Sequence, residues 1–173
     1  MKGPHRKTNW NPDRQSRAER KAFILEIVQP GLAGLMDGSV STLAPLFAAA
    51  FATHNSHQTF QVGIAASVGA GISMGFAEAL SDDGTLSGRG RPWIRGGICG
   101  LMTAAGGLGH TMPFLIGNVH RAIALAIGVV AVELLVIAWV RKRFMDTPLL
   151  AAIYQVVLGG FLVFLTGILI GKA

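Results

Sequence analysis

Five runs of mainly apolar residues dominate this chain, at residues 28–53, 60–80, 94–116, 122–140 and 149–170. A helix needs about 20 such residues to cross the roughly 30 Å hydrocarbon core of a bilayer. Only 14% of the 173 residues are charged, against about 25% in average soluble chains. A soluble helical bundle would need polar helix faces that these runs lack. The sequence therefore predicts an all-α integral membrane protein with five transmembrane helices.

The basic residues predict the orientation of these helices. Thirteen of the 15 Lys and Arg residues fall within or next to residues 1–27, 81–93 and 141–148. Because cytoplasmic segments carry the excess of Lys and Arg, we expect the N-terminus inside and the C-terminus outside. Residues 1–27 then form a basic cytoplasmic tail, partly disordered or amphipathic, that contacts anionic lipid, and residues 28–173 form the five-helix membrane domain. The tail shows no RNA-binding motif, so we expect no nucleic-acid partner.

One acidic residue, Asp37, lies well inside the first run, in the stretch GLMDGSVSTLAP. A charge near the centre of a membrane helix costs about 2.5–3.5 kcal/mol on insertion scales, and such residues usually mark an ion or substrate path. Asp37 is therefore the first candidate for a metal ligand. Glycines at intervals of four residues favour close helix packing in the first two runs. They are Gly34, Gly38, Gly71 and Gly75.

Three further side chains are candidate metal ligands beside Asp37. Glu78 lies near the cytoplasmic end of the second run, at a depth similar to that of Asp37, and Met36 and Met74 add thioethers. Carboxylates with a few thioethers suit a transient Fe²⁺ or Mn²⁺ site. A carboxylate can also exchange a metal ion for a proton. Glu78 is equally consistent with a helix-end residue that reaches water, and Met74 with simple packing.

Glu133 and His110 are candidate members of a proton relay. Glu133 lies inside the fourth run and His110 in the outer part of the third. Glu133 is equally consistent with a protonated acid that is hydrogen-bonded between helices. The outer histidines His54, His57 and His120 are consistent with a cluster that binds metal or senses pH, or with scattered interfacial residues.

Four segments together resemble the vacuolar iron transporter family. They are MDGSVST, GAGISMGFAEALS, GGLGHTMPFLI and GGFLVFLTGILIG. The resemblance is nearest to the membrane transport domain of the bacterial membrane-bound ferritins and covers about residues 28–171. It implies a homodimer of five-span subunits, with a metal path between the two first spans. On this chain, Asp37 and Met74 would line that path, and Glu78 matches the family's acid at the cytoplasmic side.

The resemblance implies proton-coupled export of Fe²⁺, and of Mn²⁺ as a second substrate, across a bacterial cytoplasmic membrane. The chain would then be a transporter and no enzyme, with metal as its cargo and no permanently bound cofactor. The family's acidic metal-binding insert is replaced here by the short loop SDDGTLSGRGRPW. No ferritin-like domain is present in these residues, so either the chain works alone or a separate ferritin-like protein feeds it.

Two other functions are consistent with the residues. One is a membrane anchor that docks a soluble iron-storage partner through the basic tail and transports nothing. The other is a proton-linked carrier of an organic solute. Only the two transport functions require Asp37 to face a polar cavity.

Overall fold

The computed structural model describes residues 12–85, 87–145 and 148–173, which form seven α-helices. The helices are α1 (Pro12–Phe23), α2 (Gln29–Ser41), α3 (Leu43–Thr53), α4 (Ser56–Ser81), α5 (Pro92–Thr111), α6 (Val119–Met145) and α7 (Leu149–Lys172). A π turn at Ile24–Val28 joins α1 to α2, and a 3₁₀ turn at Met112–Leu115 extends α5. The described residues contain no strand, so the all-α prediction is confirmed.

Three helical segments are long and apolar enough to cross a membrane. They are Gln15–Thr53, Ser56–Ser81 and Val119–Met145, and a shorter apolar helix covers Val157–Lys172. Large apolar side chains also point outward, with Leu101 73% exposed and Leu150 82% exposed. Helices that present apolar residues both inward and outward suit a lipid environment. The structure therefore supports a membrane protein, while the count of five spans and the orientation stay predictions.

Proline interrupts the first apolar run at two places. Pro30 cannot donate a hydrogen bond to the carbonyl of Glu26, and the chain accommodates it with the π turn, in which Gln29 N–H donates to Ile24 O. Pro45 likewise cannot donate a hydrogen bond to the carbonyl of Ser41, and α2 ends at Ser41. The basic segment α1 is thus helical and continues through the π turn into α2.

Helix α5 packs between α2 and α4, and these two contacts are the most extensive in the fold. Gly34 and Gly38 of α2 lie directly against the backbone of α5. A Cβ atom at Gly34 would overlap the carbonyl oxygen of Cys99, and one at Gly38 would overlap that of Thr103. Both glycines are therefore required for the close approach of α2 and α5 within one chain.

Glycines also form the contact between α4 and α5. A Cβ atom at Gly71 would lie 2.8 Å from the Gly100 carbonyl oxygen, and one at Gly75 would lie 3.2 Å from the Gly96 carbonyl oxygen. Small residues on both helices let the backbones approach to a distance at which dispersion forces hold them together.

The C-terminal half of the first run packs against the last helix and the 3₁₀ turn that follows α5. Leu43, Leu46 and Phe47 of α3 are buried in a cluster with Phe114. The ring of Phe47 meets the ring of Phe164 of α7 edge to face, with 4.6 Å between centroids. This cluster packs α3 against the 3₁₀ turn that follows α5 and against α6. Thr42, between α2 and α3, lies against Gly107 and His110 of α5.

We expect Gly34→Ala to destabilise the protein, because the added methyl group would overlap the Cys99 carbonyl. Overpacking of a tight contact typically costs about 1–3 kcal/mol. Thermal unfolding of the purified protein in detergent should show a lower midpoint. Gly97→Ala is the matched control, because a Cβ atom at Gly97 of α5 meets open space. Equal midpoints for the two variants would contradict the packing described here.

Candidate ion and proton sites

Asp37 lies at the border between the packed and the exposed side of α2. Its neighbours Gly34 and Gly38 face α5, whereas Met36 is 40% exposed and Ser41 is also exposed. The side chain of Asp37 is half-buried and accepts a hydrogen bond of 3.4 Å from the Ser41 hydroxyl. No basic residue pairs with it among the residues that the structure describes. Asp37 is therefore a carboxylate inside the first run without a counter-charge.

Glu78 has two basic partners. Its Oε1 atom lies 2.7 Å from Arg89 Nη2 and 3.0 Å from Arg95 Nε. The Arg95 side chain is completely buried, and that of Glu78 is 16% exposed. A buried guanidinium is tolerated only when an acid and further acceptors neutralise it, which explains why Glu78 is placed here.

The same arginine closes the loop between α4 and α5. Arg95 Nη2 donates to the Asp82 carbonyl at 2.7 Å, and Nη1 donates to the Gly90 carbonyl at 3.2 Å. The Ser87 hydroxyl and the Gly84 N–H donate to the Asp82 carboxylate and lower its pKa, with smaller contributions from the two arginines. Asp82 therefore stays ionised, and its bonds persist until the pH falls below the ordinary carboxyl range.

These contacts change the interpretation of Glu78. A carboxylate that already accepts from two guanidinium groups would have to lose both before it could bind a metal ion. In this structure Glu78 forms an ion pair with Arg89 and Arg95, and its role as a metal ligand stays a prediction that requires both contacts to break. The sequence offered a signal for this pair, because Arg95 lies just inside the third run at about the depth of Glu78.

A second group of hydrogen-bonded polar residues lies within the bundle near the C-terminal end of α5. His110 of α5 is completely buried, with Nδ1 3.2 Å from Glu133 Oε2 and Nε2 2.8 Å from the Thr42 hydroxyl. The Thr42 hydroxyl also lies 2.7 Å from the Gly38 carbonyl oxygen. The structure thus brings together the two residues predicted as a proton relay. It adds Thr42, which sequence reasoning missed because a threonine in an apolar run has no distinctive pattern.

Glu133 is reachable from the side of α6. Its carboxylate packs against Gly109 of α5, and it lines an open groove of about 480 Å³. The other residues that line this groove are apolar, among them Leu35, Val129 and Val132. An acid that is 13% exposed in such a groove needs its partner His110 to offset the loss of hydration.

The remaining candidate ligands do not converge. Met36 is exposed on α2 and Met74 is half-buried on α4. His54, His57 and His120 are exposed. Within the described residues, no group of three or more His, Cys, Asp or Glu side chains could hold a metal ion. A single chain therefore brings Asp37 together only with the Ser41 hydroxyl.

Comparison with known proteins yields no relative: no family model, no curated protein and no solved structure matches this chain. The resemblance to the vacuolar iron transporters thus stays a prediction that depends on the motifs quoted above.

We expect Glu78→Gln to destabilise the protein, because it leaves the buried charge of Arg95 with weaker compensation. Removal of one member of a buried pair typically costs about 3–5 kcal/mol. Unfolding in detergent should show this loss, and the double variant Glu78→Gln with Arg95→Met should recover part of it. Glu19→Gln on the exposed face of α1 is the control. Stability equal to that of the control would contradict a structural role for Glu78.

Proposed function

We propose that this protein is a proton-coupled exporter of divalent metal ions, Fe²⁺ and Mn²⁺, in which Asp37 is the residue that exchanges metal for protons. The observation that carries the proposal is the contrast among the acids. Glu78 and Glu133 each have a basic partner on α5, whereas among the described residues Asp37 is paired only with a hydroxyl. An unpaired acid in a membrane helix is best explained by an ion that visits it.

The metal site proposed here is formed by two copies of the chain. One chain supplies a single carboxylate and the Ser41 hydroxyl, which is fewer than the four to six ligands that such ions take. A two-fold axis beside the exposed side of α2 would double this set. Met36 lies on that exposed side, and the family resemblance adds Met74. The membrane, in this proposal, is a bacterial cytoplasmic one, with the N-terminus inside.

The proposed dimer surface leaves out the glycines of α2. Gly34 and Gly38 are occupied by α5 of the same chain, so they are not available to a second copy. The surface that remains includes Ala33, Met36, Asp37, Val40 and Ser41 of α2 and Pro45 of α3, which are exposed or half-exposed.

A docking function remains the second candidate, because α1 presents an exposed basic surface. Arg17, Arg20 and Lys21 are all exposed on this helix, and such a surface suits anionic lipid or an acidic partner such as a ferritin-like protein. Measurements of metal flux distinguish the two functions, since an anchor needs no permeable path.

We expect Asp37→Asn to abolish metal transport and to leave the fold intact, because a neutral amide costs less to bury than an ion. The protein in liposomes with an acidic lumen should take up Fe²⁺ or Mn²⁺ and release protons in exchange. Liposomes that contain the variant should show no more metal flux than liposomes without protein. Asp83→Asn in the exposed loop is the matched control and should transport at the unmutated rate. Unchanged, proton-coupled flux in Asp37→Asn would refute the mechanism and make Glu133 the next candidate.

We also expect the exposed side of α2 to meet its copy. In a Cys99→Ala background, Ser41→Cys should form a disulfide-linked dimer in membranes under mild oxidation, since a two-fold axis brings each residue near itself. Leu101→Cys on α5, which is equally open to lipid, should form far less. Equal cross-linking at both positions, or a monomer in lipid, would contradict the shared path.

A further inference from the structure

The Thr42 hydroxyl has a single hydrogen and two neighbours that can accept it. They are the Gly38 carbonyl oxygen at 2.7 Å and His110 Nε2 at 2.8 Å. The hydrogen can lie on only one of these bonds at a time. The bond that it occupies determines whether His110 Nε2 donates or accepts a hydrogen bond. The number of protons that the His110–Glu133 pair holds follows from that role.

Consider first the hydroxyl that donates to Gly38. His110 Nε2 must then carry a hydrogen and donate it to the Thr42 oxygen. Nδ1 of His110 faces Glu133, so the pair is either an imidazolium with a carboxylate or a neutral imidazole with a carboxylic acid. In both forms the pair has no net charge and holds one extra proton.

Consider next the hydroxyl that donates to His110 Nε2. The imidazole is then neutral, its hydrogen is on Nδ1, and that hydrogen is donated to an ionised Glu133. The pair now has a net charge of minus one. The two positions of one hydroxyl hydrogen therefore correspond to two protonation states of the pair.

The position of the Thr42 hydroxyl hydrogen also affects the backbone of the first apolar run. The N–H of Thr42 donates to Val40 O, and the Thr42 hydroxyl lies 2.7 Å from the Gly38 carbonyl oxygen, at the point where α2 ends. When the hydroxyl turns to His110, the Gly38 carbonyl, which follows Asp37 in the chain, loses this hydrogen bond.

We propose that His110 and Glu133 form a proton-binding site within the bundle, and that Thr42 transmits its protonation state to the break between α2 and α3. Thr42 is a positioning residue in this scheme, because it acts through His110 and Gly38. Only the site's role in transport rests on the proposed function; proton binding itself requires no metal.

The other titratable groups on the helices around the His110–Glu133 pair lie at other positions along those helices. Helix α4 carries only His57 and Glu78, near its two ends, and α2 carries Asp37. Helix α3 carries none, and α5 itself adds Arg95 and Cys99. On α6, Glu133 faces His110, while the remaining charged or titratable residues are at the helix ends, namely His120, Arg121, Arg141, Lys142 and Arg143.

The test is the reaction of Glu133 with dicyclohexylcarbodiimide, which modifies protonated carboxyl groups in apolar surroundings. The open groove beside α6 gives this reagent access. The full chain in lipid nanodiscs, with chelator and without metal, is labelled over a range of pH, and the modified peptide is quantified by mass spectrometry. Labelling of Glu133 should fall as the pH rises.

Thr42→Val removes the partner of Nε2 in both states, and the loss is larger in the loaded state, where an imidazolium Nε2–H makes the stronger, charge-assisted hydrogen bond. The midpoint of labelling should move to lower pH by about one unit, because an orphaned buried donor is costly. Thr42→Ser should restore the midpoint. Thr103→Val is the matched control: Thr103 is equally buried and donates to its own helix at Cys99 O, two turns from His110.

Equal midpoints for Thr42→Val and Thr103→Val, or no labelling of Glu133 at any pH, would overturn the proposal. If Thr42→Val does not fold, the proposal is tested by measuring the protons that the protein takes up after a pH jump. Glu133→Gln should take up one proton fewer per chain than the unmutated protein, and equal uptake would overturn the proposal. A failure of the transport proposal gives a different pattern, with metal flux absent and the pH-dependent labelling intact.

Discussion

The close contact of α5 with α2 on one side and α4 on the other is the interaction on which the rest of this structure depends. It requires glycine wherever a side chain would enter the neighbouring backbone, as at Gly38 against Thr103 and at Gly71 against Gly100. Hydrophobic burial supplies little force between helices in lipid, so close packing is what holds them together. The contact also places the two polar ends of α5, Arg95 and His110, opposite acids of other helices.

This arrangement distinguishes the three acids of the predicted spans. Arg95 neutralises Glu78 at one end of α5, and His110 holds Glu133 at the other. A fixed guanidinium makes a structural pair, because arginine keeps its proton, whereas an imidazole makes a pair that can gain and lose one. Asp37 has neither partner, so its burial is left unexplained by packing alone.

The sequence predicted the helices and the members of these sites better than it predicted the contacts. The runs of apolar residues give the helix positions to within a few residues, since length and composition determine them. Glu78 was assigned to a metal because its depth was known but its neighbours were not; only the fold shows that Arg95 reaches it. Thr42 was missed because its importance comes from Pro45, which ends α2 nearby, and from His110, 68 residues further along the chain.

In the proposed mechanism, the metal site and the proton site are coupled through their charges. Thr42 follows Asp37 by five residues and contacts His110, and opposite charges attract more strongly within a protein than in water. A divalent ion at Asp37 would therefore favour the His110–Glu133 pair in its negative, unloaded form, in which Thr42 turns away from Gly38. A proton on the pair disfavours the metal by the same amount, because coupling between two binding events is reciprocal. Competition of this sign is what the proposed antiport needs, and it would arise without any direct contact between the two ions.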